Sequence, residues 1–223
     1  MWAEQAIFTS LPRRGRGGYR LVSRSPGLGA AEVQALTGLA PSHGSLILDR
    51  RNRISVNFQP LPGGRFALSR TCAGPPEYSG RGGPQLYTHF LIVDEPALHA
   101  VGFQPFSLYR DAMAMGYLLY QPDPEEVLER VQLSPVHPRR DGGYWENRAV
   151  DLELPPLRPL TQRLQADPPL RFAYAGDRAA LAECLIGALP PEAARLVSFS
   201  TSLLPSSTRR SVLTLVGGES RST

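Results

Sequence analysis

The stretch "RISVNFQPLPGGRFALSRT", residues 53–71, constrains what this chain can fold into more than any other feature. Val56, Phe58, Phe66 and Leu68 alternate with polar neighbours, the period of extended strands with one apolar face. Between them, Leu61-Pro62-Gly63-Gly64 combines the fixed φ of proline with the positive φ open to glycine, so the chain turns back as a hairpin. A hairpin with an apolar face has to be part of a larger sheet. Further β-favouring runs near Ala6–Thr9, Tyr19–Ser23 and Tyr87–Val93, punctuated by Gly or Pro, supply the additional strands.

Helical periodicity appears between and after these strands. "GAAEVQALTGLA" places Val33, Leu36, Thr37 and Ala40 on one face, with Gly29 as N-cap and Glu32 three residues later. A second helix is expected to start at Asp94, with Pro96 in its first turn and Leu98 and Val101 facing inward. "FSLYRDAMAMGYLLY" and "PEEVLERV" read as further short helices. From 132 to 169 prolines recur and Asp141-Gly142-Gly143 marks a turn, so this stretch reads as a Pro-rich connection. Beyond it come strand "LRFAYAG", helix "DRAALAECLIGAL" under an Asp177 cap, and strands in "ARLVSFSTSL" and "RRSVLTLVG".

The expected fold class is therefore α+β: a mixed, mostly antiparallel sheet with flanking helices and a smaller C-terminal strand-helix-strand-strand part. The expected organisation is a main part over 1–131, the connection over 132–169, the C-terminal part over 170–216 and a disordered tail over 217–223.

At 223 residues and 42% hydrophobic, the chain has the material for a buried core. No apolar run reaches the roughly 18 residues of a membrane span, and the N-terminus lacks a basic-then-apolar leader, so a cytoplasmic location is expected. Cys72 and Cys184 lie far apart without CxxC spacing, which indicates neither a disulfide framework nor a zinc site. No cofactor or metal pattern is present. Every one of the 24 basic residues counted in the net charge of +4 is Arg, which a GC-rich coding sequence explains as well as a ligand does. Residues 1–81 carry 11 Arg against 4 acidic residues, and residues 82–223 carry 13 against 16. The N-terminal part could thus attract an acidic partner.

Two glycine-arginine segments stand out: Gly15-Arg16-Gly17-Gly18 leading into "YRLVS", and Gly80-Arg81-Gly82-Gly83 leading into Leu86–Val93. Three readings compete. Phosphate loops follow a strand and open a helix, whereas these segments enter strands, and no GK[ST] occurs. A disordered RGG arm would be repeated and poor in apolar residues. Structural turns formed by Gly15, Gly17, Gly18, Gly80, Gly82 and Gly83 rank first, with Arg14, Arg16 and Arg81 left for a partner and an Arg16–Arg81 anion-binding pair kept as the alternative.

Catalytic patterns are sparse. Of the four histidines only His89, in "THF", sits in an ordered-looking strand, on the same face as Tyr87 and Leu91. Cys72 with His89 would make a thiol–imidazole pair, and the serines of "SFSTS" lack a GxSxG elbow.

Three blocks, "QAIFTSLPRRGRGGYRLVSRSPGL", "YSGRGGPQLYTHFLIVDEPAL" followed by "GFQPFSL", and "LVSFSTSLLPSSTRR", resemble in order and spacing the N-terminal domain family of bacterial GTPase-associated protein 1. The matching positions are Gly15, Gly17, Gly18 and Tyr19, then Ser79, Gly80, Arg81 and His89, then Phe199, Ser200 and Thr201. The resemblance implies an α+β domain of a GTPase-centred bacterial system that acts by protein interaction, and it supplies no catalytic residue. Family members commonly continue into further domains, and this chain ends shortly after the third block, so a stand-alone version is expected.

The leading expectation is a non-enzymatic adaptor that docks to a GTPase or another protein encoded nearby, in a system with a defence or conflict role. The alternatives are a small hydrolase using Cys72 or a Ser with His89, and nucleotide or nucleic-acid binding through the basic N-terminal part, for which weak affinity is expected.

Overall fold

In a computed structural model of the chain, residues 1–12, 17–78, 82–135 and 140–218 are described. In chain order the elements are β1 (Trp2–Ser10), β2 (Tyr19–Arg24), α1 (Ala30–Leu39), β3 (Ile54–Pro60), β4 (Phe66–Pro76), β5 (Pro84–Val93), α2 (Glu95–Ala100), α3 (Pro105–Ala114) and β6 (Val131–Gln132). They continue with α4 (Gly142–Asp151), α5 (Leu157–Ala166), β7 (Leu170–Ala173), α6 (Arg178–Ala188), α7 (Pro191–Ala194), β8 (Phe199–Thr201) and β9 (Leu213–Val216).

The strands form one mixed sheet in the order β2-β1-β5-β4-β3-β8-β9-β7, with β6 added beside β1. Pairing is antiparallel from β2 through β8 and parallel among β8, β9 and β7. The fold is thus α+β with a mixed, mostly antiparallel sheet. The hairpin read from residues 53–71 pairs Phe58 with Leu68 and Ile54 with Cys72, and its turn is closed by Leu61 N donating to Arg65 O at 2.8 Å.

Alternation divides the buried side chains between two faces. One face presents Val56, Phe58, Leu68, Leu91, Val93 and Phe199 to Leu98, Phe106, Trp145, Leu160 and Leu185, so α2 to α6 cover it. Residues 132–169 contribute α4 and α5 to this layer. Here Asp141 caps rather than merely turns: its carboxylate accepts from Tyr144 N, and the helix starts at Gly142. The opposite face presents Ala6, Phe8, Ala67, Phe90 and Ile92 to Leu36 of α1 and to Ala40, which caps its C-terminus.

The predicted caps form. Asp94 accepts from Ala97 N at 2.9 Å, Asp177 from Ala180 N at 2.9 Å, and Glu32 from Gly29 N at 2.9 Å. On α1, Thr37 departs from the expected inward stripe: it is exposed, and its hydroxyl donates back to Val33 O. The "PEEVLERV" helix does not form. Arg24 N donates to Glu126 O, Leu128 N donates to Arg24 O, and Val131–Gln132 pairs with Trp2–Ala3. Edge strands offer unpaired backbone groups, and satisfying them outweighs a short segment's helical preference.

A second set of bonds fixes residues 47–53 to the C-terminal part. Arg178, fully buried, donates to Ser202 Oγ at 2.8 Å, to Asp49 Oδ2 at 2.7 Å and to the Tyr174 and Ile47 carbonyls. Asn52 bridges Asp49, Gly176 O and Arg178 N. Burial alone would raise the Asp49 carboxyl, but hydrogen bonds from Asn52, Arg178 and Arg51 outweigh it and hold it below the usual carboxylate range.

Candidate functional site

The topology brings the described flanks of the two glycine-arginine segments to one end of the sheet. Because β1 runs antiparallel to β5, the exit from β1 at Ser10 lies beside the entry to β5, with Thr9 opposite Tyr87. The described flanks of the first glycine-arginine segment, residues 11–12 and 17–18, lie between β1 and β2, and those of the second, residues 77–78 and 82–83, between β4 and β5.

A hydrogen-bonded seam joins their described flanks. Gly18 N donates to Tyr78 Oη at 3.0 Å, Ser10 Oγ donates to Glu77 Oε1 at 3.2 Å, and Leu86 N donates to Tyr19 Oη at 2.9 Å. The Gln85 amide donates to Ser10 O. Tyr19 also stacks on Phe8, with centroids 5.9 Å apart, and its hydroxyl lies 3.4 Å from His43 Nδ1. Hydrogen bonds with Ser10 first and the Gly18 amide second hold the Tyr78 phenol below its ordinary value. Gly18 (φ 93°) and Gly83 (φ 74°) occupy the left-handed region, where a β-branched side chain is strained.

Of the residues singled out in the sequence, Gly17, Gly18, Gly82 and Gly83 lie on this end. Arg14, Gly15, Arg16, Gly80 and Arg81 lie outside the described residues, as do Ser79 and residues 219–223 of the expected tail. Sequence reasoning missed Ser10, Glu77, Tyr78 and Gln85. Their partners are up to 75 residues away, so no local signal marks them.

Cys72 and His89 sit elsewhere, beside Tyr87 and in the region of Tyr120 and Leu128 from the segment that follows α3. The register sets Cys72 opposite Tyr87 and Arg70 opposite His89, so the thiol and imidazole are diagonal neighbours on one face. No hydrogen bond joins them. His89 Nε2 instead lies 2.9 Å from Gln5 Oε1, while Gln5 Nε2 donates to Glu129 O, so Nε2 carries the proton. Burial first, and Arg70 second, push His89 down to about 4, and burial pushes the Cys72 thiol up. A thiolate–imidazolium pair needs the opposite shifts.

The serines of "SFSTS" have structural partners. Ser200 Oγ donates to Asn57 Oδ1 at 2.7 Å, Thr201 Oγ1 bridges Val56 N and O at 2.9 Å each, and Ser202 accepts from Arg178. The Asn57 network continues through Ser55 and Ser69 along the face opposite Phe58, with a separate Thr71–Thr88 hydroxyl pair at 2.8 Å. All of these polar side chains are buried. Among the described residues no three His, Cys, Asp or Glu side chains converge as a metal site, and no helix is long and apolar enough to cross a membrane.

The family model for GTPase-associated protein 1, N-terminal domain type 2, matches residues 2–133, from β1 through β6. The match takes in both glycine-arginine turns, and the third block, with β8, lies beyond it. Comparisons with curated proteins and with solved structures return no match. With more than half its length matched, the chain belongs to the family of GTPase-associated protein 1, N-terminal domain type 2.

Proposed function

We propose that the chain is a non-enzymatic adaptor of a GTPase-centred bacterial system with a conflict role, and that the twin-turn end is its docking surface. The observation that carries this reading is the seam that ties the two turns together through Gly18–Tyr78 and Ser10–Glu77. A rigid seam lets short loops present side chains to a partner with little ordering cost. Family membership supports a GTPase, or a protein encoded beside one, as that partner. In this reading Arg14, Arg16 and Arg81 supply guanidinium forks for the partner's carboxylates, a side chain enriched at binding hot spots.

The test is calorimetric titration of the full chain into the purified neighbouring GTPase, in its GDP-bound and GTP-analogue-bound states. The proposal expects saturable binding that weakens by roughly tenfold or more for Arg16→Ala and for Arg81→Ala. Absence of binding in both nucleotide states, or binding indifferent to both substitutions, contradicts it.

A further inference from the structure

Past the end of α1, two tight turns form a cleft of about 390 Å3 lined by Ser42, His43, Ser45, Ser206, Ser207 and Arg209. The first is closed by Ser45 N donating to Ser42 O at 3.1 Å and the second by Arg209 N donating to Ser206 O at 3.2 Å. Leu204 N, donating to Ser45 O at 2.8 Å, and the bridge between Leu46 and Leu203 staple the two together. The cleft is a built feature rather than a gap between loose loops.

Its chemistry is one-sided. Arg209 is 8% exposed and two of its nitrogens donate to the Ala40 and Leu204 carbonyls, yet no carboxylate pairs with it among the described residues. Among the described residues no acidic one lines the cleft. Ser45 is 4% exposed and its hydroxyl has no hydrogen-bond partner among them. A buried cation without a counter-ion and a buried hydroxyl without a partner both cost free energy, and each calls for an explanation at the site where it occurs. An anion rich in acceptor oxygens satisfies both. Of the lining serines, Ser206 Oγ is already paired with Thr208 Oγ1 at 2.9 Å, whereas Ser45 and Arg209 have donors to offer; a phosphate presents more acceptor oxygens than a carboxylate and suits Arg.

We propose that this cleft binds the phosphate group of a small phosphorylated molecule, with Arg209 neutralising the charge and Ser45 donating to a phosphate oxygen. Its volume lies in the lower range of small-molecule pockets, leaving room for a modest substituent beside the phosphate. The inference does not rest on the docking role of the twin turns, although His43 touches both regions.

The probes are inorganic phosphate and glycerol 3-phosphate, titrated calorimetrically into the full chain at constant ionic strength, with acetate as the control. Saturable binding of either phosphate without binding of acetate is expected. Tighter binding of glycerol 3-phosphate identifies a phosphomonoester as the source, and equal binding identifies the free anion. Arg209→Gln should abolish binding, but it also removes bonds to two carbonyls, so Ser45→Ala is the decisive variant. Its hydroxyl holds nothing in the fold, and losing it should weaken binding by roughly fivefold or more at unchanged melting temperature. No saturable binding of either phosphate at millimolar concentration, or wild-type affinity in Ser45→Ala, overturns the proposal.

Discussion

The helix-covered face of the sheet and the twin-turn end of the same strands are built from opposite materials. On the face, Phe199 lies between Phe58 and Phe106, with centroids 6.1 and 5.0 Å away, and five helices exclude water from the cluster. At the end, glycines in left-handed conformations and a half-exposed Tyr78 are joined mainly by hydrogen bonds. Apolar burial supplies most of a fold's stability, whereas an exposed hydrogen bond contributes little beyond geometry. The difference separates what holds this molecule together from the end proposed as its docking surface.

The largest effect belongs to the covered face. Phe199→Ala should cost about 3–5 kcal/mol, because it deletes a fully buried ring from a stacked trio and leaves a cavity; denaturant unfolding measures it. A cost under about 1 kcal/mol would break the comparison at its strong side.

Next is pH. The unfolded chain protonates His89 near 6.5 and the folded chain only near 4, so the unfolded state binds the extra proton between those values. Stability from this group is complete above that window and falls as the pH drops through it, by on the order of 3 kcal/mol in all. His89→Gln, which can still donate to Gln5, should flatten this part of the pH profile in parallel unfolding series.

A smaller loss is expected on the polar face of the same strands. Asn57→Ala leaves the buried Ser200 hydroxyl without its acceptor, while Ser55 keeps Thr201 O, and should cost about 1–3 kcal/mol in the same unfolding assay. A neutral effect would show that this network is as dispensable as the surface.

What the sequence made legible follows the range of the interactions. The caps at Gly29, Asp94 and Asp177 are set by residues three apart, and they stand where the pattern put them. The hairpin of 53–71 was equally local. Alternation also marked Ser55, Asn57 and Ser69 as a polar row, but period two does not say whether such a row meets water or other side chains, and here it meets Ser200 across a strand boundary. The parallel placing of β9 between β8 and β7 depends on contacts no window contains. "PEEVLERV" was misread because the edge groups of β1 and β2 that capture it lie about a hundred residues away. At the twin-turn end the glycines were visible, while Tyr78 and Ser10 were not, since their importance exists only once β1 and β5 are paired.

The smallest stability effects decide the central claim, that glycines shape the twin-turn end and arginines serve the partner. The direct measurement is melting temperature beside affinity for the neighbouring GTPase, for Gly18→Val, Gly83→Val, Arg16→Ala and Arg81→Ala. The valine variants should each lose about 1–2 kcal/mol of stability, because both positions have positive φ. The arginine variants should melt within about 0.5 kcal/mol of the parent chain while binding falls roughly tenfold or more. Arginine variants that melt early beside valine variants as stable as the parent chain would contradict the account.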